Sequence, residues 1–216
     1  MAQIFHPSLN TLSRLSIIAL LVLLAAFWKI GMALNRSPYF TQVNVVRSQP
    51  VQFSHKHHVQ GIGIDCRYCH TTVETSSVAG IPPTKTCMNC HSSIWSDSPM
   101  LEPVRESFKS GKSIEWTRVH DLADFVYFDH SIHVNKGVAC ETCHGRIDQM
   151  PLTSRAKTLH MDWCLQCHRN PEKFVRPKEH VFDMGWRPAK REKFSGKELV
   201  AKYHIQSRTD CSVCHR

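Results

Sequence analysis

The longest apolar run in the chain extends from Leu15 to Leu34, LSIIALLVLLAAFWKIGMAL, twenty residues with a single charge, Lys29. Twenty helical residues reach about 30 Å, the thickness of a hydrocarbon core, so this run predicts a transmembrane helix. Trp28, Tyr39 and Phe40 suit the outer interface, where Lys29 can snorkel. A cleaved signal peptide is the other reading, with an apolar core from Ile17 to Trp28 and cleavage after Gly31-Met32-Ala33. Beyond residue 34 no comparable run follows. Between Thr71 and Lys112 the chain is rich in Ser, Pro and Gly, including Ile81-Pro82-Pro83, which predicts loops with short helices between them. The basic, proline-marked stretch from Pro171 to Lys202 reads as a surface wrap or a partner contact.

The polar part carries a repeat of about 75 residues. One copy opens Phe53-Ser-His55-Lys-His57-His58-Val59 and the other Phe128-Asp-His130-Ser-Ile-His133-Val134. Each leads into a cysteine pair, at Cys66 and Cys140, and then into a second pair, at Cys87 and Cys164.

All ten cysteines belong to one pattern: Cys66-x-x-Cys69-His70, Cys87-x-x-Cys90-His91, Cys140-x-x-Cys143-His144, Cys164-x-x-Cys167-His168 and Cys211-x-x-Cys214-His215. With 10 Cys and 15 His in 216 residues, a shuffled chain would contain about 0.03 such motifs. Cys-x-x-Cys-His is the attachment signature of haem c: two thioethers pin the porphyrin and the adjacent His binds iron. Paired knuckles holding zinc through four sulfurs give no reason for a His after every second Cys. Disulfides would close strained small loops and leave the histidines unexplained. The expectation is five covalently bound haem c.

That expectation changes the meaning of the net charge, +9. Ten propionates would bring the holoprotein to about −1 with ferrous iron, or about +4 with all five irons ferric. The Lys and Arg residues are then counter-ions, and nucleic-acid binding is excluded. Five haems among roughly 180 residues leave about 36 residues each, so porphyrins must form much of the core. The predicted fold is mainly α with much irregular structure: a c7/class III-like multihaem domain plus one N-terminal transmembrane helix. The expected divisions are 1–14 cytoplasmic, 15–34 anchor and 35–216 haem domain. The domain holds copies at about 53–127 and 128–170, with a fifth-haem segment at 171–216. Covalent attachment occurs on the exported side, which places the domain in the periplasm of a bacterial inner membrane.

Five six-coordinate irons need five further ligands. Residues at i and i+3 share a helix face but diverge slightly, so His55 with His58, and His130 with His133, can each reach two neighbouring haems. For the fifth of these ligands the choice is His120, with His160, His204 and Met161 as alternatives. His57 reads as exposed or as a propionate donor, and His6 and His180 as surface residues. No catalytic residue or small-molecule pocket is evident.

Phe-Ser-His-Lys-x-His-Val leading into Cys-x-x-Cys-His resembles the class III and c7 multihaem cytochromes. Met1-Ala-Gln-Ile-Phe, Ala79-Gly-Ile-Pro-Pro-Thr84, Arg118-Val-His120 with Asp124-Phe-Val-Tyr-Phe128, and Trp163-Cys-Leu-x-Cys-His-Arg169 together resemble the pentahaem subunit of bacterial alternative complex III, a quinol:electron-acceptor oxidoreductase. The resemblance covers nearly the whole chain. It implies an electron wire packed on an iron–sulfur subunit and on membrane subunits that bind quinol. A periplasmic cytochrome c, a copper protein or a terminal oxidase would be the acceptor. The competing reading is a single-anchor multihaem quinol dehydrogenase that oxidises quinol itself. The thirty or so residues between the helix and Cys66 disfavour it. A multihaem reductase needs an open coordination site, whereas this chain has histidines to spare.

Overall fold

The computed structural model describes residues 4–188 and 194–215. Met1–Gln3 of the resemblance and part of the 171–202 stretch lie outside the described residues. Two compact units result, Met1–Gln42 and Val43–Arg216.

The first unit is one long helix, α1 (Ser8–Asn35), followed by a single turn, α2 (Pro38–Thr41). Helix α1 begins about two turns before the predicted span, and Arg14 and Lys29 are its only charges. At 1.5 Å per residue it extends about 42 Å. It buries none of its side chains and is long and apolar enough to cross a membrane. The break after it follows from Pro38, which forces Ser37 into an extended conformation (φ −69°, ψ 157°).

The second unit is built from short helices: α3 (Cys66–Cys69), α4 (Thr84–His91), α5 (Glu102–Ser110), α6 (His130–Asn135), α7 (Cys140–His144), α8 (Met161–Arg169), α9 (Gly196–Lys202) and α10 (Cys211–Cys214). Among the described residues there is no sheet, only isolated bridges such as Val43 with Arg155 and Val126 with His215. Most of the buried apolar side chains form two small clusters, Val51–Leu101–Val104 and Val73–Val134–Val181. Two clusters of three are little core for a unit of this length. The first joins α5 to Cys87 and Met88 of α4. The second joins the two copies of the repeat to the C-terminal segment.

That segment is more than a surface wrap. Arg176, Val181, Leu199 and Tyr203 are buried. Arg176 bonds Glu141, the residue after Cys140, at 2.5 Å, with both side chains nearly buried. Helix α9 is started by a capping box between Ser195 and Glu198. It lies so close to the turn at Pro171–Lys173 that a Cβ on Gly196 would collide with the Glu172 carbonyl.

The two copies differ by one residue between the shared Val and the first cysteine, seven positions from Val59 to Cys66 against six from Val134 to Cys140. The structure absorbs it locally. Residues Lys56–Gly61 form a π-helical turn where the second copy has the α-helix α6. Both turns close on the carbonyl of the second histidine, by Ile64 N–H to His58 and by Val138 N–H to His133, each at 3.0 Å. A wider turn spanning one more residue is what a π-bulge provides. Gly63 and Gly137 follow at equivalent places, both with left-handed backbone (φ 78° and 82°).

Candidate haem centres

Each Cys-x-x-Cys-His motif lies on a helical turn, three of which begin at the first cysteine. Residues three apart on a helix share a face, so both sulfurs point to one side and the histidine follows beside them. No disulfide joins any of the ten cysteines. Among the described residues, no cluster of His, Cys, Asp and Glu converges as a metal-only site, as a four-sulfur zinc knuckle would require.

The histidines are oriented by their backbone surroundings. Nδ1 of His70 donates to the Gly80 carbonyl (2.7 Å), His91 to Ile94 (3.0 Å) and His168 to Arg208 (2.8 Å). In the repeat, Nδ1 of His58 donates to Ser54 (2.8 Å), His130 to Ser77 (2.8 Å) and His133 to Asp129 (2.6 Å). His55 Nδ1 pairs with the Thr153 hydroxyl at 3.0 Å. A carbonyl oxygen only accepts, so Nδ1 carries the proton and Nε2 is left with a lone pair for a metal. This is the tautomer-fixing arrangement typical of ligating histidines. His6 and His180 bond instead to the Ser8 hydroxyl and the Asp183 carboxylate, and His57 stacks on the exposed Trp95.

Ring separations sort the histidines into pairs. With metal–imidazole bonds of about 2 Å, two rings on opposite faces of one metal have centroids roughly 6 Å apart. His58 and His91 stand 6.2 Å apart, His133 and His168 6.2 Å, and His130 and His144 6.5 Å with planes only 8° apart. His55 lies near His70, close enough for the two rings to interact electrostatically. In both copies the first histidine thus faces the first motif and the second histidine the second motif. Burial, aided by neighbouring imidazoles, pushes His55 down to about 4 and His144 to about 3. Both rings stay neutral near physiological pH, as a metal ligand must. The residues present therefore fit haem iron with two axial imidazoles.

His120 meets the third motif. Its ring lies edge-on to His144 at 4.3 Å and 74°, too close for two ligands across one metal, whereas the ring beside His215 is that of Phe125 at 5.7 Å. Sequence distance from His130 carried no information about which motif His120 would meet. Its segment is tied down by distant side chains: Arg47 donates to the Arg118 carbonyl, Gln49 brackets Thr117, and Arg155 donates to Val119 and Asp121. His120 Nε2 and His144 Nδ1 are both buried and both lack a hydrogen-bond partner. His144 thus has no carbonyl of the kind that orients His70, His91 and His168. Of the alternatives, Met161 is 64% exposed and His204 adopts a left-handed backbone (φ 50°).

Several supporting residues escape sequence reasoning. Ser77 and Thr153 each follow the first motif of one copy yet orient the first histidine of the other. Lys56 N–H donates to Met150 in the same manner. The role of Phe in the repeat also emerges. Phe53 meets His55 edge-on (4.9 Å, 87°) and stacks on His58 (4.4 Å, 23°). Phe128 does the same to His130 (4.8 Å, 86°) and His133 (4.6 Å, 29°). The repeated Phe was the available signal.

Short helices with no sheet among the described residues, carrying paired thiols and opposed imidazoles, are the arrangement of a multihaem cytochrome c. Residues 132–216 match the family described as cytochrome c3, and residues 51–102 that described as cytochrome c7 and related cytochrome c. The chain is 35% identical, over 145 residues, to the menaquinone reductase multihaem cytochrome c subunit of Nitratidesulfovibrio vulgaris, an alignment covering 57% of this chain and 69% of that protein. The chain belongs to this family of multihaem cytochromes c.

Proposed function

We propose that the chain binds five haem c groups through its five motifs and relays electrons as a membrane-anchored subunit of a quinol oxidoreductase of the alternative complex III type. Haem iron supplies the one-electron change; the chain fixes ligands, spacing and surroundings. The observation that carries the reading is the doubled histidine turn. Each of the pairs His55/His58 and His130/His133 faces two different motifs, so each would hold two haems side by side. The proposed distal ligands are those four histidines, with His70, His91, His144, His168 and His215 proximal. With His120 turned to His144, the groups left for the second face of the fifth haem are His160, Met161 and His204.

Helix α1 would be the anchor, with the haem domain on the periplasmic side. The partners would be an iron–sulfur subunit and quinol-binding membrane subunits, with a periplasmic or oxidase-bound acceptor. The relative named above favours a second reading, in which the subunit passes electrons toward menaquinone. Isolation from native membranes separates these readings by the co-purifying subunits and by the direction of turnover. The subunit alone should carry the mass of five haems and take electrons from a chemical reductant while oxidising quinol negligibly. Rapid quinol oxidation by the stripped subunit would overturn the relay reading in favour of a quinol dehydrogenase.

A further inference from the structure

We infer that the five motifs are strung as an unbranched line in the order second, first, third, fourth, fifth, so that electron exchange with partner proteins takes place at the Cys87–His91 and Cys211–His215 ends. This deepens the relay reading and rests on it for the haem count.

Each link stands on its own contacts. The second and first motifs touch through their variable residues: Asn89 Nδ2 donates to the Tyr68 hydroxyl at 3.0 Å. They also share the His55/His58 turn, whose second ring faces His91 at 6.2 Å. The first and third motifs meet through their leading cysteines, Cys66 and Cys140, which lie side by side. The loops behind these two motifs also interlock. Ser77 accepts from His130 Nδ1 at 2.8 Å, and Met150 accepts from Lys56 N–H at 3.0 Å.

The third and fourth motifs share the His130/His133 turn, whose rings face His144 at 6.5 Å and His168 at 6.2 Å. Cys143 lies beside both Cys164 and Cys167. The fourth and fifth are joined by the segment that leads into Cys211: the Arg208 carbonyl accepts from His168 Nδ1 at 2.8 Å, and the Ser207 hydroxyl donates to the His168 carbonyl at 2.6 Å. Cys164 also lies close to Cys214 of the fifth motif.

The exposure of the cysteines is independent of these links and agrees with them. Of the ten, Cys90 and Cys211 are exposed and the other eight are partly covered. They belong to the second and fifth motifs, the two ends of the line. A porphyrin edge attached at an exposed cysteine lies where a partner's redox group can approach, whereas in the middle motif the Nδ1 of His144 is buried. Chain order and spatial order therefore differ at the start: the first motif met along the sequence is internal, and the second is terminal.

Crystals of the intact holoprotein, measured at the iron absorption edge, test this directly, because anomalous peaks locate each iron. The expected map has the irons of His70 and His144 as neighbours. The iron of His91 has only that of His70 beside it, and the iron of His215 only that of His168. An iron on His215 adjacent to that of His70 or His91 would overturn the order, as would a His91 iron lying between those of His70 and His144. Iron positions do not depend on quinol chemistry. The expected map together with quinol oxidation by the isolated subunit would uphold the order and remove only the relay reading.

Discussion

Phe53 lies over His58 with ring centres 4.4 Å apart, and Phe128 lies over His133 at 4.6 Å. In each copy one aromatic ring therefore braces two imidazoles, stacking on the second and meeting the first edge-on. Rings so held keep their Nε2 atoms aimed without help from the metal.

Replacing His55, His58, His130 or His133 with Ala should convert one haem in each variant to a high-spin form while the other haems stay low-spin, as seen in electronic and paramagnetic resonance spectra. Phe53→Leu and Phe128→Leu should keep all haems low-spin but broaden those signals, because the ligands remain while their bracing weakens. Purely low-spin spectra from all four histidine variants would rule out this ligand set.

His120→Ala should leave the number of low-spin haems unchanged and shift the midpoint potential of the third haem. The reason is its ring, which packs edge-on to that of His144 at 4.3 Å, since the groups around a ligand tune the metal behind it. A new high-spin haem in this variant would show instead that His120 binds iron.

The pair of Glu141 and Arg176 should govern acid stability. Burial raises the Glu141 carboxyl, but the hydrogen bonds from Arg176 and Gly185 outweigh it and hold the group below the usual carboxylate range. A depressed carboxylate contributes stability above the unfolded glutamate value, and loses it as pH falls through the lower folded value. Removing one partner of a buried pair leaves the other charge uncompensated, at a cost of about 3–5 kcal/mol. Glu141→Gln should therefore lower the unfolding midpoint at neutral pH and flatten its decline in acid. An unchanged melting profile from pH 7 down to pH 3 would refute this.

The two equivalent glycines should respond unequally. Both have left-handed backbone, where any other residue costs roughly 1–2 kcal/mol. A Cβ on Gly63 meets nothing within 4 Å, whereas one on Gly137 would stand 2.5 Å from the Arg176 carbonyl. Gly63→Ala should cost little beyond that conformational term, and Gly137→Ala clearly more, measured as denaturant midpoints of the two holoproteins. Equal losses would contradict the packing at Gly137.

The sequence already revealed the chemistry, because the ligand types and their local spacing are written in single turns. Phe, His, His and Val recur at one offset, and Cys-x-x-Cys-His needs only one helical turn to form. The arrangement between turns was not legible. Nothing local indicates that Ser77 orients His130, that Thr153 orients His55, or that His120 turns to His144, since these contacts join residues 24 to 98 positions apart. The span of α1 was visible as an apolar run, but its start at Ser8 was not. Ser8 to Ser13 are polar enough to read as a flank, yet they continue the helix through side-chain bonds such as Ser13 to the Asn10 carbonyl.

The π-helical turn at Lys56–Gly61 acts as mechanical slack. The ligand pair sits at its start, the thioether site follows it, and the surplus residue is taken up between them without moving either. Copies of a duplicated metal-binding unit can thus drift in length while their coordination geometry stays in step. Tolerance to insertion should be concentrated in the few residues between each second histidine and its following glycine, and nowhere else between ligand and cysteine.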